Sequence, residues 1–291
     1  MKRLKTVLIV NPFSGTTDCE KTVQLVEKTL DSSKFELAIE RTVKAGHAAE
    51  IAEQSSKKGM DLVIVAGGDG TVNEVGTALL NSATALAILP CGSGNGVARS
   101  LGIPVNLRKA ITHLNEKAKL QKIDTATFND RVFIGLCGIG FDALVSHEFH
   151  NFKSRGLKGY FKAFTNKILQ FKPREFTIET RDQKFVVNGF LAVVANSNQF
   201  GNNAKISPES KMDDGLLNLT LIKSMPKVLV PAEIVKLFSG VIHKSPHAFT
   251  LTSDWFRISS TFDKAHIDGE PINCSAAVEV AVHPRSLTVM A

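Results

Sequence analysis

The sequence predicts an α/β protein of two domains. The first is an N-terminal, mostly parallel α/β domain over residues 1–125, and the second a C-terminal, mainly antiparallel β-sandwich over residues 126–285. Three observations predict this. Up to about residue 100, short apolar runs alternate with glycine-bearing loops and helical periodicities, the pattern of a parallel sheet covered by helices. From about residue 125 the pattern becomes one of alternating or β-branched strands with only two helical interruptions. At 291 residues, 43% hydrophobic and 22% charged, the chain also has the length and composition of two ordinary globular domains.

Taken in order, Val7–Val10 is a first buried strand ending in the turn-forming loop Asn11-Pro12-Phe13-Ser14-Gly15. A helix follows with Val23, Val26 and Leu30 on one face. Phe35, Leu37 and Ile39 alternate as a second strand, which runs through the loop from Arg41 to His47 into a helix from Ala48 to about Lys58. Leu62–Ala66 is apolar, β-branched and too short for a buried helix, so it is a strand covered on both faces. It leads through Gly67-Gly68-Asp69-Gly70-Thr71 to a helix carrying Val72, Val75 and Leu79. Ala85–Leu89 is a fourth strand, ending in Pro90-Cys91-Gly92-Ser93-Gly94-Asn95-Gly96. In such a sheet these four loops share the carboxyl-terminal edge, where ligands bind.

In the second domain the strands are Val132–Gly140, Phe176–Thr180, Phe185–Ala195, Leu217–Leu221, Phe249–Ile258 and Ala277–Val282. Helices fall near 143–171 and 228–239. The closing run Ser286–Met290 reads as one more strand, returning to either domain.

Net charge is +7. Much of it lies in residues 146–174, where Lys153, Arg155, Lys158, Lys162, Lys167, Lys172 and Arg174 face the single acid Glu148. Phe149, Phe152, Tyr160, Phe161, Phe164, Ile168, Leu169 and Phe171 are interleaved with them. Basic amphipathic segments suit anionic membrane surfaces, and an ordinary helix with an apolar core face and solvated lysines has the same composition. No nucleic-acid motif accompanies the charge, so a nucleic-acid partner is not expected. Cys19, Cys91, Cys137 and Cys274 are scattered without metal-ligand spacing and read as reduced and structural. The apolar run Val7–Val10 is too short for a signal-peptide core or a membrane span. A cytoplasmic location with peripheral membrane contact is the expectation.

The turn at residues 67–71 carries the chemistry. Its glycines let a ligand approach backbone amides, and the helix that follows presents unpaired N–H groups, which suits an anion. Asp69 would repel a bare phosphate, so its presence argues for a nucleotide with Mg²⁺; it fits equally a helix cap. Neither a Gly-Lys-Ser/Thr phosphate loop nor a dinucleotide fingerprint is present.

Together these loops resemble those of the diacylglycerol kinase catalytic-domain family, the bacterial lipid kinases related to sphingosine and ceramide kinases. The motifs, in the family's order, are Asn11-Pro12 with Ser14-Gly15, Gly67-Gly68-Asp69-Gly70-Thr71 with Asn73-Glu74, Pro90-Cys91-Gly92-Ser93-Gly94-Asn95, Gly140-Phe141-Asp142-Ala143, Asp213-Asp214-Gly215-Leu216 and Asp268-Gly269-Glu270-Pro271. The resemblance implies ATP held by Asn11, Pro12, Thr42, Gly67, Gly68, Asp69, Gly70, Thr71, Asn73, Gly92, Ser93 and Asn95. It implies a lipid hydroxyl as acceptor and a general base that is either Glu270 or Asp268. Asp268-Gly269 also fits a plain hairpin turn. The resemblance further implies a structural Mg²⁺ held by Asp214 with the carbonyls of Lys211 and Leu216, and a carboxylate network around the catalytic Mg²⁺ that includes Asp69 and Asp124. Many bacterial members carry an aspartate where this chain has Gly96, and the Gly-Ser-Gly-Asn form is closer to sphingosine and ceramide kinases. The expected acceptor is therefore a diacylglycerol-like or a sphingoid lipid. NAD kinase, which shares the glycine-aspartate turn, and a lipid- or nucleotide-binding regulator without catalysis are the alternatives. An open sheet edge allows a homodimer.

Overall fold

The computed structural model describes residues 3–12, 18–150, 164–165 and 167–291. The chain forms two compact units, Met1–Ile123 with Arg285–Ala291, and Asp124–Pro284.

The first unit runs β1 (Leu4–Val10), α1 (Cys19–Thr29), β2 (Phe35–Arg41), α2 (His47–Lys57), β3 (Leu62–Gly67), α3 (Asp69–Ala78), β4 (Ala85–Pro90), α4 (Gly96–Ser100) and α5 (Leu107–Glu116). The strands pair in parallel in the order β2-β1-β3-β4. Every residue of β3 and β4 is buried, which is why these strands read as unbroken apolar runs rather than alternations. Asp18 caps α1 by accepting from the Glu20 and Lys21 amides, and Asn106 caps α5 by accepting from Lys109.

Two long strands belong to both units along their length: β5 (Leu120–Phe128) and β15 (Ala277–Met290). Ala277–Val282 and Ser286–Met290 are thus one strand, passing through Arg285 at φ +51°. Its last part lies parallel to β4, with Val289 opposite Leu86.

The second unit contains β6 (Arg131–Phe133), β7 (Leu136–Gly140), α6 (Phe141–His150), β8 (Arg174–Glu179), β9 (Lys184–Ala195), β10 (Leu217–Lys223), α7 (Val230–Phe238), β11 (Ala248–Ser253), β12 (Trp255–Ser260), β13 (Lys264–Ile267) and β14 (Glu270–Asn273). Its ladders are antiparallel and form the expected sandwich. Strand β9 organises it. Residues 184–189 pair with β8, and the later part pairs with β7 and β10. The change of partner falls at Gly189, where a Cβ would come within 2.7 Å of the Ile222 carbonyl oxygen.

Two expected strands are each broken in two. Val132–Gly140 divides at Ile134-Gly135, whose amides are taken by a side chain from elsewhere in the unit. Phe249–Ile258 divides at Asp254, whose carboxylate receives Arg181 at 3.0 Å and whose carbonyl receives the Val282 amide.

The sandwich core is aromatic, centred on the fully buried Phe133, Phe176 and Phe256. Phe171 belongs to it, stacked 5.5 Å from Phe262 and edge-on to Phe141, and Phe164 and Ile168 pack against it. These three therefore serve the core rather than an exposed apolar stripe. Lys167 pairs with Glu148 at 3.0 Å, and the Arg174 guanidinium lies over the Phe262 ring. Lys153, Arg155, Lys158, Lys162, Phe152, Tyr160 and Phe161 lie outside the described residues. Among the described residues no helix is long and apolar enough to cross a membrane.

Truncating Phe176 to alanine is expected to destabilise the second unit by about 3–5 kcal/mol, through lost transfer energy and the cavity left behind. Urea unfolding followed by circular dichroism would measure this.

Candidate functional site

Helix α3 begins two residues after β3, and three side chains in its first two turns each hold a different neighbouring loop. Thr71 Oγ1 accepts from Asn11 Nδ2 at 3.1 Å, which fixes the loop after β1. Glu74 Oε1 accepts from the Gly46 amide at 3.3 Å, in the loop after β2. Asp69 Oδ2 accepts from the Asn95 amide at 2.8 Å, in the loop after β4. All four loops at the carboxyl edge of the parallel sheet are tied to one helix start.

The two glycine loops touch backbone to backbone. A Cβ on Gly92 would stand 2.6 Å from the Gly68 Cα, and one on Gly67 would stand 2.7 Å from the Thr71 Cβ. The loop after β4 is closed by Asn95, whose side chain accepts from the Gly92 amide and donates to the Gly92 carbonyl. Asn95 itself sits at φ +54°, a conformation asparagine tolerates better than most residues.

The predicted nucleotide residues are distributed unevenly around this frame. Asn11, Gly67, Gly68, Asp69, Thr71, Gly92 and Asn95 are brought together by the contacts above. Gly70 and Asn73 lie half-buried on α3, while Pro12 and Ser93 are exposed. Thr42 is buried, its amide bonded to the Val10 carbonyl. Ser14 and Gly15 are outside the described residues.

In the second unit, Asp268 and Gly269 form the two-residue turn between β13 and β14, at φ +48° and +86°. Both positive values are those of a tight hairpin turn, which favours Asp-Gly. The Asp268 carboxylate reaches across to three consecutive amides, those of Ile134, Gly135 and Leu136, at 2.8–2.9 Å. Glu270, the first residue of β14, is exposed. The turn is thus more than a plain hairpin, and its two carboxylates have different surroundings.

Helix α6 grips the same hairpin. Asp142 Oδ2 and His266 Nε2 lie 2.9 Å apart in a fully buried contact against Gly138, where any Cβ would overlap the carboxylate. Ser146 Oγ donates to the Gly269 carbonyl at 2.6 Å, and His147 Nε2 lies 3.0 Å from the Ile272 carbonyl. The Asp142 motif was legible in the sequence, whereas its partner His266 and the role of Ser146 were not. Both depend on an approach across 123 or more residues.

Asp124 is fully buried, and its Oδ2 accepts from the Gly215 amide at 2.7 Å. Its amide donates to the Met212 carbonyl and its own carbonyl accepts from Asn196, so β5 is tied at this residue to the Lys211–Leu216 loop. Asp214 is exposed, with Oδ1 accepting from the Leu216 amide at 3.1 Å. The groups this loop offers, the Asp214 carboxylate and backbone carbonyls, are all oxygens. Among the described residues no group of three His, Cys, Asp or Glu side chains that could hold a metal ion is gathered, here or elsewhere. Burial pushes the Cys91 thiol up to about 11. The Cys137 thiol is raised well above its ordinary range by burial, then by the charges of Asp268 and Asp142. Neither thiol supplies a thiolate at neutral pH.

The chain thus joins a parallel α/β layer with interlocked glycine loops to an antiparallel sandwich bearing an Asp-Gly-Glu turn. Residues 5–128 match the family model described as the diacylglycerol kinase catalytic domain, and residues 135–291 match that described as the YegS C-terminal NAD kinase beta sandwich-like domain. The chain belongs to the diacylglycerol kinase family of lipid kinases. It is 31% identical over 230 residues to a protein named diacylglycerol kinase from Bacillus subtilis, covering 77% of this chain and 74% of that one. It is 30% identical to another of that name from Staphylococcus saprophyticus, covering 92% and 89%. A protein of Enterobacter named probable lipid kinase YegS-like is also 30% identical, covering 84% and 83%. The fold is shared with a solved Bacillus anthracis diacylglycerol kinase at TM-score 0.75 and 23% identity, covering 100% of this chain and 97% of that one.

Replacing Asp268 by alanine leaves three amides without their acceptor and is expected to cost about 2–4 kcal/mol of stability. Replacing exposed Glu270 by alanine should change stability by less than about 0.5 kcal/mol. Denaturant titration of the two variants side by side would separate them.

Proposed function

We propose that this enzyme transfers the γ-phosphate of ATP, with Mg²⁺, to the hydroxyl of a diacylglycerol-like or sphingoid membrane lipid, with Glu270 as general base. The observation that carries this reading is the division of labour in the Asp268-Gly269-Glu270 turn. Asp268 is committed to three amides and Glu270 is exposed. A base must reach the proton it removes, and a carboxylate already accepting three hydrogen bonds is a poor base. Asp268 is then a positioning residue: it fixes the turn that carries Glu270.

In the first unit, the amides of Gly68 and Gly70, at the start of α3, suit the approach of phosphate oxygens, while Gly67 and Gly92 let the loops close on Thr71 and Asn95, the Gly92 amide being held by the Asn95 side chain. Asn11, Pro12, Thr42, Thr71, Asn73, Ser93 and Asn95 complete the proposed nucleotide contacts. Asp69 holds the second glycine loop in place through Asn95 and puts a carboxylate beside the phosphates, a position that calls for a divalent cation. Bound Mg²⁺ supplies neutralisation of the charge that develops on the transferring phosphoryl group. For a structural Mg²⁺ the donors would be Asp214 with the carbonyls of Lys211 and Leu216, and Asp124 would hold their loop closed.

Support for a lipid acceptor comes from the named relatives. Gly96 opens α4, where many bacterial family members place an aspartate, and leaves the choice between glycerolipid and sphingoid base to the assay.

The test is transfer of labelled γ-phosphate from ATP to diacylglycerol, monoacylglycerol, sphingosine, ceramide, phosphatidylglycerol and NAD. A labelled lipid is expected, with Glu270→Gln lowering its rate by about 10²- to 10⁴-fold. Label on NAD alone, or an undiminished rate in Glu270→Gln, would overturn the reading. Mg²⁺ should also raise the melting temperature, and Asp214→Ala should abolish that rise, because a ligand bound only by the folded state stabilises it.

A further inference from the structure

Among its described residues the second unit exposes an apolar surface around the 3-10 turn and helix that follow β10. The 3-10 turn Lys227–Leu229 leads directly into α7, and the outward positions of this pair are apolar: Val228 is 81% exposed, Val235 64% and Phe238 42%. Pro231 and Ala232 are exposed beside them, and so is Val241 just beyond the helix. The single acid of the helix, Glu233, is turned inward and only 6% exposed, paired with Lys236 at 2.8 Å; Lys236 also donates to Ser245. Burial pushes the Glu233 carboxyl up, and its hydrogen bonds with Lys236 and Ser245 more than offset this, holding it below the ordinary glutamate range. Helix α7 is therefore apolar on both sides: Val230 is buried and Leu237 packs against a core cluster, while Val235 and Phe238 face outward. A surface helix of a soluble domain hides its apolar stripe and exposes its charges, while contiguous exposed apolar residues mark an interaction face.

Charge identifies the occupant. Residues 223–247 contain Lys223, Lys227, Lys236 and Lys244 against the one acid, Glu233. With Glu233 neutralised internally by Lys236, the remaining lysines make the surroundings basic. Lys227 Nζ donates to the carbonyl of Leu169, itself 74% exposed, so the end of the basic segment 146–174 adjoins this surface. A second copy docked face to face would set the same lysines against one another. An apolar face bordered by lysines matches an anionic bilayer, whose headgroups attract the cations and whose acyl boundary accepts Val228, Val235 and Phe238.

We infer that the 3-10 turn and α7, residues 227–241, dock this enzyme on anionic lipid bilayers by inserting their apolar face at the headgroup boundary. The inference rests on the lipid kinase reading only for the point that the substrate lies in a bilayer. It moves the inserting surface away from Phe164, Ile168 and Phe171, which the core takes.

The experiment is sedimentation of the full chain with vesicles of phosphatidylglycerol and phosphatidylcholine, comparing wild type with Val235→Asp, Phe238→Asp and the double variant. Each single variant is expected to bind about tenfold more weakly or worse, since each removes one buried apolar side chain. Melting temperature should be unchanged, because both positions are exposed. In a second measurement, Val235→Trp should add fluorescence that brominated acyl chains quench beyond the signal of Trp255. Unchanged vesicle binding in the double variant, no binding by the wild type, or conversion of a dimer to a monomer with vesicle binding intact would each overturn the inference. Phosphorylation of dioctanoylglycerol in detergent micelles, run in parallel, tests the lipid kinase reading separately. Its absence in wild type would count against diacylglycerol as substrate while leaving the vesicle comparison decisive for docking.

Discussion

A carboxylate facing three consecutive amides constrains much of the second unit. The amides of Ile134, Gly135 and Leu136 cannot serve both a continuous strand and the Asp268 side chain, so β6 and β7 are two strands rather than one. The same bonds hold a turn with two positive φ values at the end of β13. Helix α6 supports that turn from its other side through Asp142, Ser146 and His147. Glu270 is therefore presented by a hairpin fixed on two sides. For the base proposed above, such a setting means that little reorganisation is needed when the substrate arrives.

The first unit solves a similar problem with less side-chain volume. Its loops approach so closely that glycine is required at Gly92, and what keeps them in register is a set of three bonds from one helix start. Asp69, Thr71 and Glu74 therefore couple the loops to one another. A change in any of them is felt at all four strand ends.

The parallel layer was legible because its strands are buried on both faces and its helices carry clear apolar stripes, as in Val72, Val75 and Leu79. Helix α5 also carries a readable signal, with Asn106 as cap and Ala110, Ile111 and Leu114 on one face, and it is a feature the sequence reading does not pick out. The breaks at Ile134-Gly135 and Asp254 were not legible, since they arise from acceptors and partners distant in sequence. The aromatic residues near 164–171 show the limit of composition. Lysines beside phenylalanines look alike whether the rings face a bilayer or a core, because lysine stems lie along apolar surface in either case. Conversely, the outward apolar face of α7 cannot be seen until it is known that Glu233 points inward. Among the candidate residues, the aspartates and glycines stand out as motifs, while the contacts of Asn196 with Asp124 and of His266 with Asp142 required the fold.

The passage of β15 from one unit to the other also bears on how the chain is made. The first unit draws on residues 285–291, and Val289 lies along β4. During synthesis every residue of the second unit emerges before that strand exists. Until then β4 presents an open edge, which is an invitation to pairing with other chains. Domains made first on the ribosome usually complete themselves first; here the unit begun first closes last, so its nascent form is the species a chaperone would have most reason to shield.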